Sequence, residues 1–116
     1  MASEAAEQSA LMQWCAWQRD ARYRLLFAIP NGERRDKLTA ARLKAQGVRS
    51  GVPDLCLPVA AGCWHGLFIE LKRADGGRVA PEQVQWLAAL DAQGYLAVVC
   101  RGFDEARLVL SFYLGG

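Results

Sequence analysis

The amino-acid sequence predicts an α/β fold, an α-β-α sandwich with a mixed central sheet. Helical and strand-like segments alternate in the order α-β-α-β-β-α-β-α, which is typical of helices packed on a sheet. Only six residues, 61–66, join the two consecutive strands, so these strands pair antiparallel rather than through a crossover. Of 116 residues, 53% are hydrophobic and 22% are charged, which predicts one globular domain over residues 1–116.

The first two elements are a helix and a strand. Residues 4 to about 20 predict a helix, because apolar side chains such as Leu11 and Cys15 recur on one face and Ser3 can cap its start. The segment YRLLFAIP, residues 23–30, predicts a strand, which the following Pro-Asn-Gly turn ends.

A basic helix and the strand pair follow. Residues 36–46 predict a helix, and Gly47 occupies the position that commonly ends one. The apolar runs at 54–60 and 67–72 predict the two antiparallel strands.

The last three elements are a helix, a strand and a helix. Pro81 suits the first position of a helix, and Gly94 ends that helix. Its buried stripe is predicted to consist of Val84, Leu87 and Leu90. Residues 95–100 predict a buried strand, and Asp104 is predicted to cap a final helix that runs to about Leu114.

Composition excludes several classes of protein. No apolar run approaches the ~20 residues of a membrane span, and the acidic, polar N-terminus is unlike a signal peptide, so we expect a cytoplasmic protein. The four cysteines lack Cys-x-x-Cys spacing, and we expect them to be reduced. A zinc site is the alternative, but the chain has a single histidine, His65, and no ligand spacing.

Charge is distributed unevenly. The chain has a net charge of +2, yet residues 19–49 contain nine Lys and Arg against three acidic residues. A basic segment beside an acidic remainder is what a phosphate-binding protein with a carboxylate cluster would show. A solvated loop and helix rich in arginine explains the same distribution, and charge alone does not separate the two.

The strand pair places three charged residues together. Glu70 and Lys72 are two positions apart and therefore point to the same face of their strand. If Asp54 lies opposite either of them, the antiparallel register brings all three to one end of the sheet. Two carboxylates and a lysine suit a hard cation such as Mg²⁺ and a reaction at phosphate. A salt-bridged strand pair without catalytic function is the alternative reading of the same pattern.

Three stretches carry a family resemblance: GVPDL at 51–55, FIELKR at 68–73 and PEQVQW at 81–86. Together they resemble the VRR-NUC domains of the PD-(D/E)XK nuclease superfamily, with Asp54 in the PD element, Glu70 and Lys72 in the ExK element, and a Q-x-x-W helix. IPNG and LKAQGVRSGVPD are similar to stand-alone phage and bacterial members. The resemblance covers residues 4 to about 114 and implies a restriction-endonuclease-like fold.

The resemblance implies a Mg²⁺- or Mn²⁺-dependent endonuclease that cleaves DNA. Its metal ligands would be Asp54, Glu70, the Leu71 carbonyl and a glutamate of the first helix. Glu7 is the favoured glutamate, since it lies on the Leu11 face, and Glu4 is the alternative; both could instead be acidic residues at a helix N-terminus. Lys72 would be the catalytic lysine. Gln83 would lie beside the site from the next helix.

The predicted DNA contacts flank this site. They are Asn31, Arg34, Arg35, Lys37, Lys44, Arg49, Ser50, Lys72 and Arg73. Phosphate contacts of this kind make binding strongly salt-dependent. The alternative for the basic residues is a solvated helix. The tryptophans at 14, 17 and 86 are interpreted as core or dimer packing rather than as stacking platforms.

Stand-alone members resemble archaeal Holliday-junction resolvases and tend to act as homodimers on branched DNA, which implies a role in DNA repair or phage DNA processing. Two symmetric cuts in a four-way junction would suit a two-fold dimer. Three alternatives stay open: a non-catalytic DNA-binding module, a nuclease acting on flaps or duplex with a partner protein, and a restriction-type enzyme.

Overall fold

The computed structural model describes residues 2–30 and 36–115. Within these residues the chain forms, in order, α1 (Glu4–Ala16), a 3₁₀ turn (Ala21–Leu25), β1 (Phe27–Ala28), α2 (Lys37–Ala45), β2 (Leu55–Leu57), β3 (Leu67–Lys72), α3 (Pro81–Ala92), β4 (Leu96–Arg101) and α4 (Gly102–Tyr113). None of the helices in the described part of the chain is both long and apolar enough to span a membrane.

The sheet is mixed, as the sequence predicts. Its strands lie in the order β1-β2-β3-β4. The pairs β1–β2 and β2–β3 are antiparallel, whereas β3 and β4 are parallel and are connected through α3. The α/β fold class with a mixed central sheet is therefore confirmed.

The register between β2 and β3 determines which residues share a face. Leu55 lies opposite Ile69 and Leu57 lies opposite Leu67. Continuing this antiparallel register by one residue places Asp54 opposite Glu70. Because side chains alternate along a strand, Leu55 and Ile69 point to one face, and Asp54 and Glu70 point to the other.

The first of these faces is the hydrophobic core. Leu55 and Ile69 are fully buried there against Leu11 of α1 and Leu110 of α4, which are also fully buried. Burial of each such side chain contributes about 1.5–3 kcal/mol relative to exposure. The helix α3 lies on the opposite face, since its Gln83 hydrogen-bonds to Glu70 and Lys72. The core thus holds β3 rigid from one side, and the polar face of β3 lies under α3.

The segment after α1 differs from the sequence prediction. The helix ends at Ala16 rather than near residue 20, and the predicted strand over 23–30 contains only Phe27–Ala28 as strand. The side chain of Asp20 accepts a hydrogen bond from the backbone N–H of Arg22 and caps a 3₁₀ turn. Tyr23 and Leu26, three residues apart, are buried by this turn, since the 3₁₀ period places them on one face.

Three other boundaries also differ. The strand β2 ends at Leu57 rather than residue 60, because the following Pro58 has no N–H to donate to a ladder. The helix α4 begins at Gly102 with Arg101 as its N-cap, so Asp104 lies inside the first turn. On α3, Val84 is 52% exposed while Gln83 is buried, so the predicted apolar stripe is wrong at that position.

Candidate active site

Glu70 is the most buried charged residue described in the chain, with 2% of its surface exposed. Its Oε2 accepts a hydrogen bond from Gln83 Nε2 at 3.0 Å and lies 3.4 Å from Lys72 Nζ. Its Oε1 is buried and receives no hydrogen bond from the described residues. A buried carboxylate oxygen without a donor costs free energy unless a proton or a cation satisfies it. The position of Oε1 therefore points to one of these two partners.

Asp54 lies at the mouth of the sheet, immediately before β2. Its Oδ2 accepts a hydrogen bond from the backbone N–H of Leu71 at 2.8 Å, and its own carbonyl accepts from the N–H of Ile29 at 2.8 Å. Main-chain groups on both neighbouring strands thus hold the residue in place. Asp54 lies opposite Glu70 in the continued strand register, and its negative charge contributes to raising the pKa of Glu70.

Gln83 connects the lysine and the glutamate. Its Oε1 accepts hydrogen bonds from Lys72 Nζ at 3.0 Å and from the backbone N–H of Ala80 at 2.8 Å. Its Nε2 donates to Glu70. Because Ala80 precedes the first residue of α3, the start of this helix fixes the orientation of the amide. Asp54, Glu70, Lys72 and Gln83 form one connected cluster, called the carboxylate cluster below.

Burial controls the charge of Glu70. Desolvation, and then the charge of Asp54, raise the pKa of Glu70 to about 8, and the ammonium of Lys72 opposes this shift only in part. Without a cation, the carboxylate cluster therefore retains a proton near neutral pH. A divalent ion would replace that proton and remove the repulsion between the two carboxylates.

The donor set fits a hard cation. Carboxylate oxygens are the ligands that Mg²⁺ and Mn²⁺ prefer, and Mg²⁺ is commonly held by one or two carboxylates while it keeps several waters. Asp54 and Glu70 supply two carboxylates, and the buried Oε1 of Glu70 has no hydrogen-bond donor among the described residues that would compete with an ion. Across residues 2–30 and 36–115, no group of three or more His, Cys, Asp or Glu side chains could hold a metal. Asp54 and Glu70 would therefore supply only part of the ligand shell of an ion bound there.

The structure places the Glu7 carboxylate at the start of α4. Its Oε1 accepts a hydrogen bond from the backbone N–H of Phe103 at 3.3 Å, and a Cβ added at Gly102 would lie 2.8 Å from its Oε2. A carboxylate at this position compensates the unpaired N–H groups of a helix start. Glu4 is exposed and lines a separate groove with Arg73 and Gly77. The assignment of either glutamate as a metal ligand stays a prediction.

The predicted DNA contacts fall into three groups. Lys37, Lys44, Arg49, Ser50 and Arg73 are exposed. Lys72 is buried in the carboxylate cluster and is 7% exposed. Asn31, Arg34 and Arg35 lie outside the described residues. The helix α2 has no buried residue, so its basic side chains are available to solvent.

A groove beside Trp86 of α3 is a further feature, and no sequence motif indicated it. It has a volume of about 380 Å³ and runs between the end of β1, the loop after α2 and the half-buried Trp86 of α3. Trp86 follows Gln83 by three residues, which puts the two side chains on neighbouring turns of one helix face. The three-residue spacing of Gln83 and Trp86 is the sequence signal that could have placed Trp86 near the site. The same spacing is equally typical of a tryptophan that packs in the hydrophobic core.

Comparisons with known proteins agree with this geometry. The chain matches the VRR-NUC domain family over residues 2–104. A solved structure described as a VRR_NUC domain protein superposes with a TM-score of 0.88 at 30% sequence identity, covering 99% of this chain and 90% of that one. No curated protein matches the chain. The family match spans the strands, the carboxylate cluster and the Q-x-x-W helix, and the chain belongs to the VRR-NUC domain family, whose members are generally nucleases.

Proposed function

We propose that this chain is a metal-dependent DNA endonuclease whose reaction centre is the carboxylate cluster. The observation that carries the proposal is the unpartnered, buried Oε1 of Glu70 beside Asp54, in a chain of a nuclease family. Asp54 and Glu70 would hold a Mg²⁺ or Mn²⁺ ion, with the Leu71 carbonyl and Glu7 as the further ligands that the resemblance implies. Such an ion lowers the pKa of a bound water and neutralises charge on phosphate oxygens.

The protein's own residues have separate tasks in this proposal. Lys72 brings a positive charge to the mouth of the sheet, where it stabilises charge that develops on the scissile phosphate. Gln83 holds Lys72 and Glu70 at hydrogen-bonding distance, 3.0 Å in each case, so that neither side chain needs to reorganise during the reaction. Lys37, Lys44, Arg49, Ser50 and Arg73 would contact the DNA backbone, together with Asn31, Arg34 and Arg35.

We further propose branched DNA, such as a four-way junction, as the preferred substrate and a homodimer as the active form. One carboxylate cluster per chain supplies one cut. A two-fold dimer presents two clusters related by the symmetry that a junction also has. A nuclease acting on flaps or duplex with a partner protein would instead cut those substrates at least as fast.

The test compares cleavage of a synthetic junction, a flap and a linear duplex in Mg²⁺, Mn²⁺ or EDTA. The parent protein should cut only with a metal, and Asp54→Asn should abolish cutting. Lys72→Met should lower the cleavage rate by roughly 10²–10³-fold. The control is Arg78→Met, which removes an exposed positive charge outside the predicted DNA contacts.

Asp54→Asn and Lys72→Met should still bind the junction in EDTA, because both proteins remain folded. An unfolded variant would lose binding as well as cleavage. Sedimentation of the junction complex should show two chains per junction. A protein that binds DNA but cuts nothing in either metal would be a non-catalytic DNA-binding module, in which the 3.4 Å contact of Lys72 with Glu70 is only a salt bridge.

A further inference from the structure

The groove beside the carboxylate cluster has the size and lining of a ligand site. Among the described residues, it is lined by apolar side chains, including those of Ile29, Val48 and Val52, by Trp86 and by one cation, Arg49. Its volume of about 380 Å³ lies within the range of ~300–1,000 Å³ that small-molecule sites occupy. Such sites combine apolar and aromatic walls with a few polar groups, and this groove has that composition.

The groove adjoins the proposed reaction centre through two direct connections. The N–H of Ile29, on one wall, donates to the carbonyl of Asp54 at 2.8 Å. On another wall, Trp86 lies one turn of α3 beyond Gln83, which hydrogen-bonds to Glu70. The groove and the carboxylate cluster are therefore built on the same two parts of the chain, the end of β1 and the first turns of α3, as a shared DNA-binding surface requires.

The walls of the groove are held together independently of any ligand. The loop after α2 turns back on that helix, where the N–H of Val48 donates to the carbonyl of Leu43 at 2.9 Å. Farther along the loop, Gly51 packs so closely on α3 that an added Cβ would lie 2.8 Å from the carbonyl oxygen of Glu82. The loop and α3 are thus in direct contact, and this contact fixes the distance between two walls of the groove.

We propose that this groove binds one unpaired nucleobase of the DNA substrate, stacked on Trp86, with an adjacent phosphate contacting Arg49. The aromatic wall and apolar sides suit a flat, uncharged ring. The exposed guanidinium of Arg49 suits the phosphate attached to it. A base in a continuous duplex cannot enter without breaking its pair and its stacking, so the groove favours DNA with unpaired bases near the cleavage point. This inference rests on the proposed function and names the feature of DNA that the site selects.

The experiment measures binding in EDTA, so that cleavage does not interfere. The two probes are a duplex with one unpaired 2-aminopurine and the same duplex with 2-aminopurine paired to thymine. The parent protein should bind the first more tightly and quench its 2-aminopurine fluorescence through stacking. Trp86→Ala should weaken binding of the first probe by roughly 5- to 150-fold and abolish the quenching, with little change for the paired probe.

Three further variants complete the test. Trp86→Phe should restore most of the binding, because it keeps an aromatic ring. Trp17→Ala, at a tryptophan that is 80% exposed and outside the groove, should bind like the parent. Arg49→Ala should weaken binding and reduce its salt dependence while the quenching persists. If Trp86→Ala does not fold, the inference is tested by the quenching in the parent protein and by the Trp86→Phe and Arg49→Ala variants.

Equal losses on both probes, or no quenching in the parent, would overturn the inference. Cleavage assays keep this outcome distinct from failure of the proposed function. A parent that cuts DNA with Mg²⁺ but shows no preference for the unpaired base retains the function and loses the groove assignment. A parent that quenches 2-aminopurine but cuts nothing retains the groove and loses the nuclease proposal.

Discussion

Replacing Glu70 with glutamine should make the metal-free protein more stable at alkaline pH, although it should abolish cleavage. Glutamine has nearly the same shape as the protonated glutamic acid and cannot ionise. In the parent, burial and the nearby Asp54 raise the pKa of Glu70 to about 8. The parent must therefore carry a poorly solvated carboxylate above that pH, and the Glu70→Gln variant does not.

The direction follows from proton linkage. Between the pKa of 4.5 that is ordinary for a glutamate in an unfolded chain and the folded value of about 8, the folded protein retains a proton that the unfolded chain releases. The stabilisation is thus fully present below pH ~4.5 and is lost as the pH rises through about 8. At about 1.4 kcal/mol per pH unit, the loss between pH 6 and pH 9 is at most about 3 kcal/mol, or roughly 10 °C in Tm for a domain of this size.

The assay is urea or thermal unfolding in EDTA at about pH 6 and pH 9. The free energy of unfolding of Glu70→Gln, relative to the parent, should rise between the two conditions by up to about 3 kcal/mol. Glu4→Gln, which removes an exposed carboxylate, is the matched control and should show no such rise. If the free energy of unfolding changed with pH in the same way for Glu70→Gln and the parent, the reasoning would be refuted. Glu70 would then have the same pKa in the folded and the unfolded protein.

Substitutions at three other residues, with their controls, test contacts away from the carboxylate cluster. Glu7→Ala should cost about 1 kcal/mol because it removes the acceptor at the start of α4, whereas Glu7→Gln should retain most of that stability in urea unfolding; a large loss of cleavage in the stable Glu7→Gln variant would identify a metal ligand rather than a helix cap. Gly51→Ala should lower Tm more than Gly47→Ala, because both glycines have positive φ but only Gly51 packs against backbone; similar Tm values would contradict the close packing. Tyr113→Phe should cost about 1 kcal/mol in chemical denaturation, since its hydroxyl donates to a carbonyl of the β2–β3 connection at 2.6 Å; an unchanged midpoint would show that water replaces this bond.

The local pattern of the strands was sufficient to predict their faces. The alternation in β3 separates Ile69 and Leu71, which are buried in the core, from Glu70 and Lys72 on the opposite face. This separation depends only on the two-residue period of a strand and on a short connection to β2. Asp54 could be placed at the same end of the sheet, opposite Glu70 or Lys72, for the same reason and without knowledge of the helices.

Features set by distant partners could not be predicted in this way. The 3₁₀ turn replaces the beginning of a predicted strand because the Asp20 side chain caps it and the core accepts Tyr23. Val84 is exposed where an apolar stripe is predicted, because α3 instead turns Gln83 inward, where Lys72 and Glu70 satisfy its amide. Helical spacing predicts that Glu7 lies on the inward face of α1, but its partner on α4 lies 96 residues away in the sequence.

The position at which α3 begins has a chemical consequence. An amide side chain has one donor end and one acceptor end, and rotation of its plane would exchange them. In Gln83 the N–H of Ala80 occupies the acceptor end, so only the –NH₂ group is left to meet Glu70. The start of α3 therefore determines that Gln83 meets the Glu70 carboxylate with a hydrogen-bond donor rather than an acceptor. A shift in where that helix starts would leave Lys72 as the only described donor that holds the amide in this orientation, with no substitution in any charged residue.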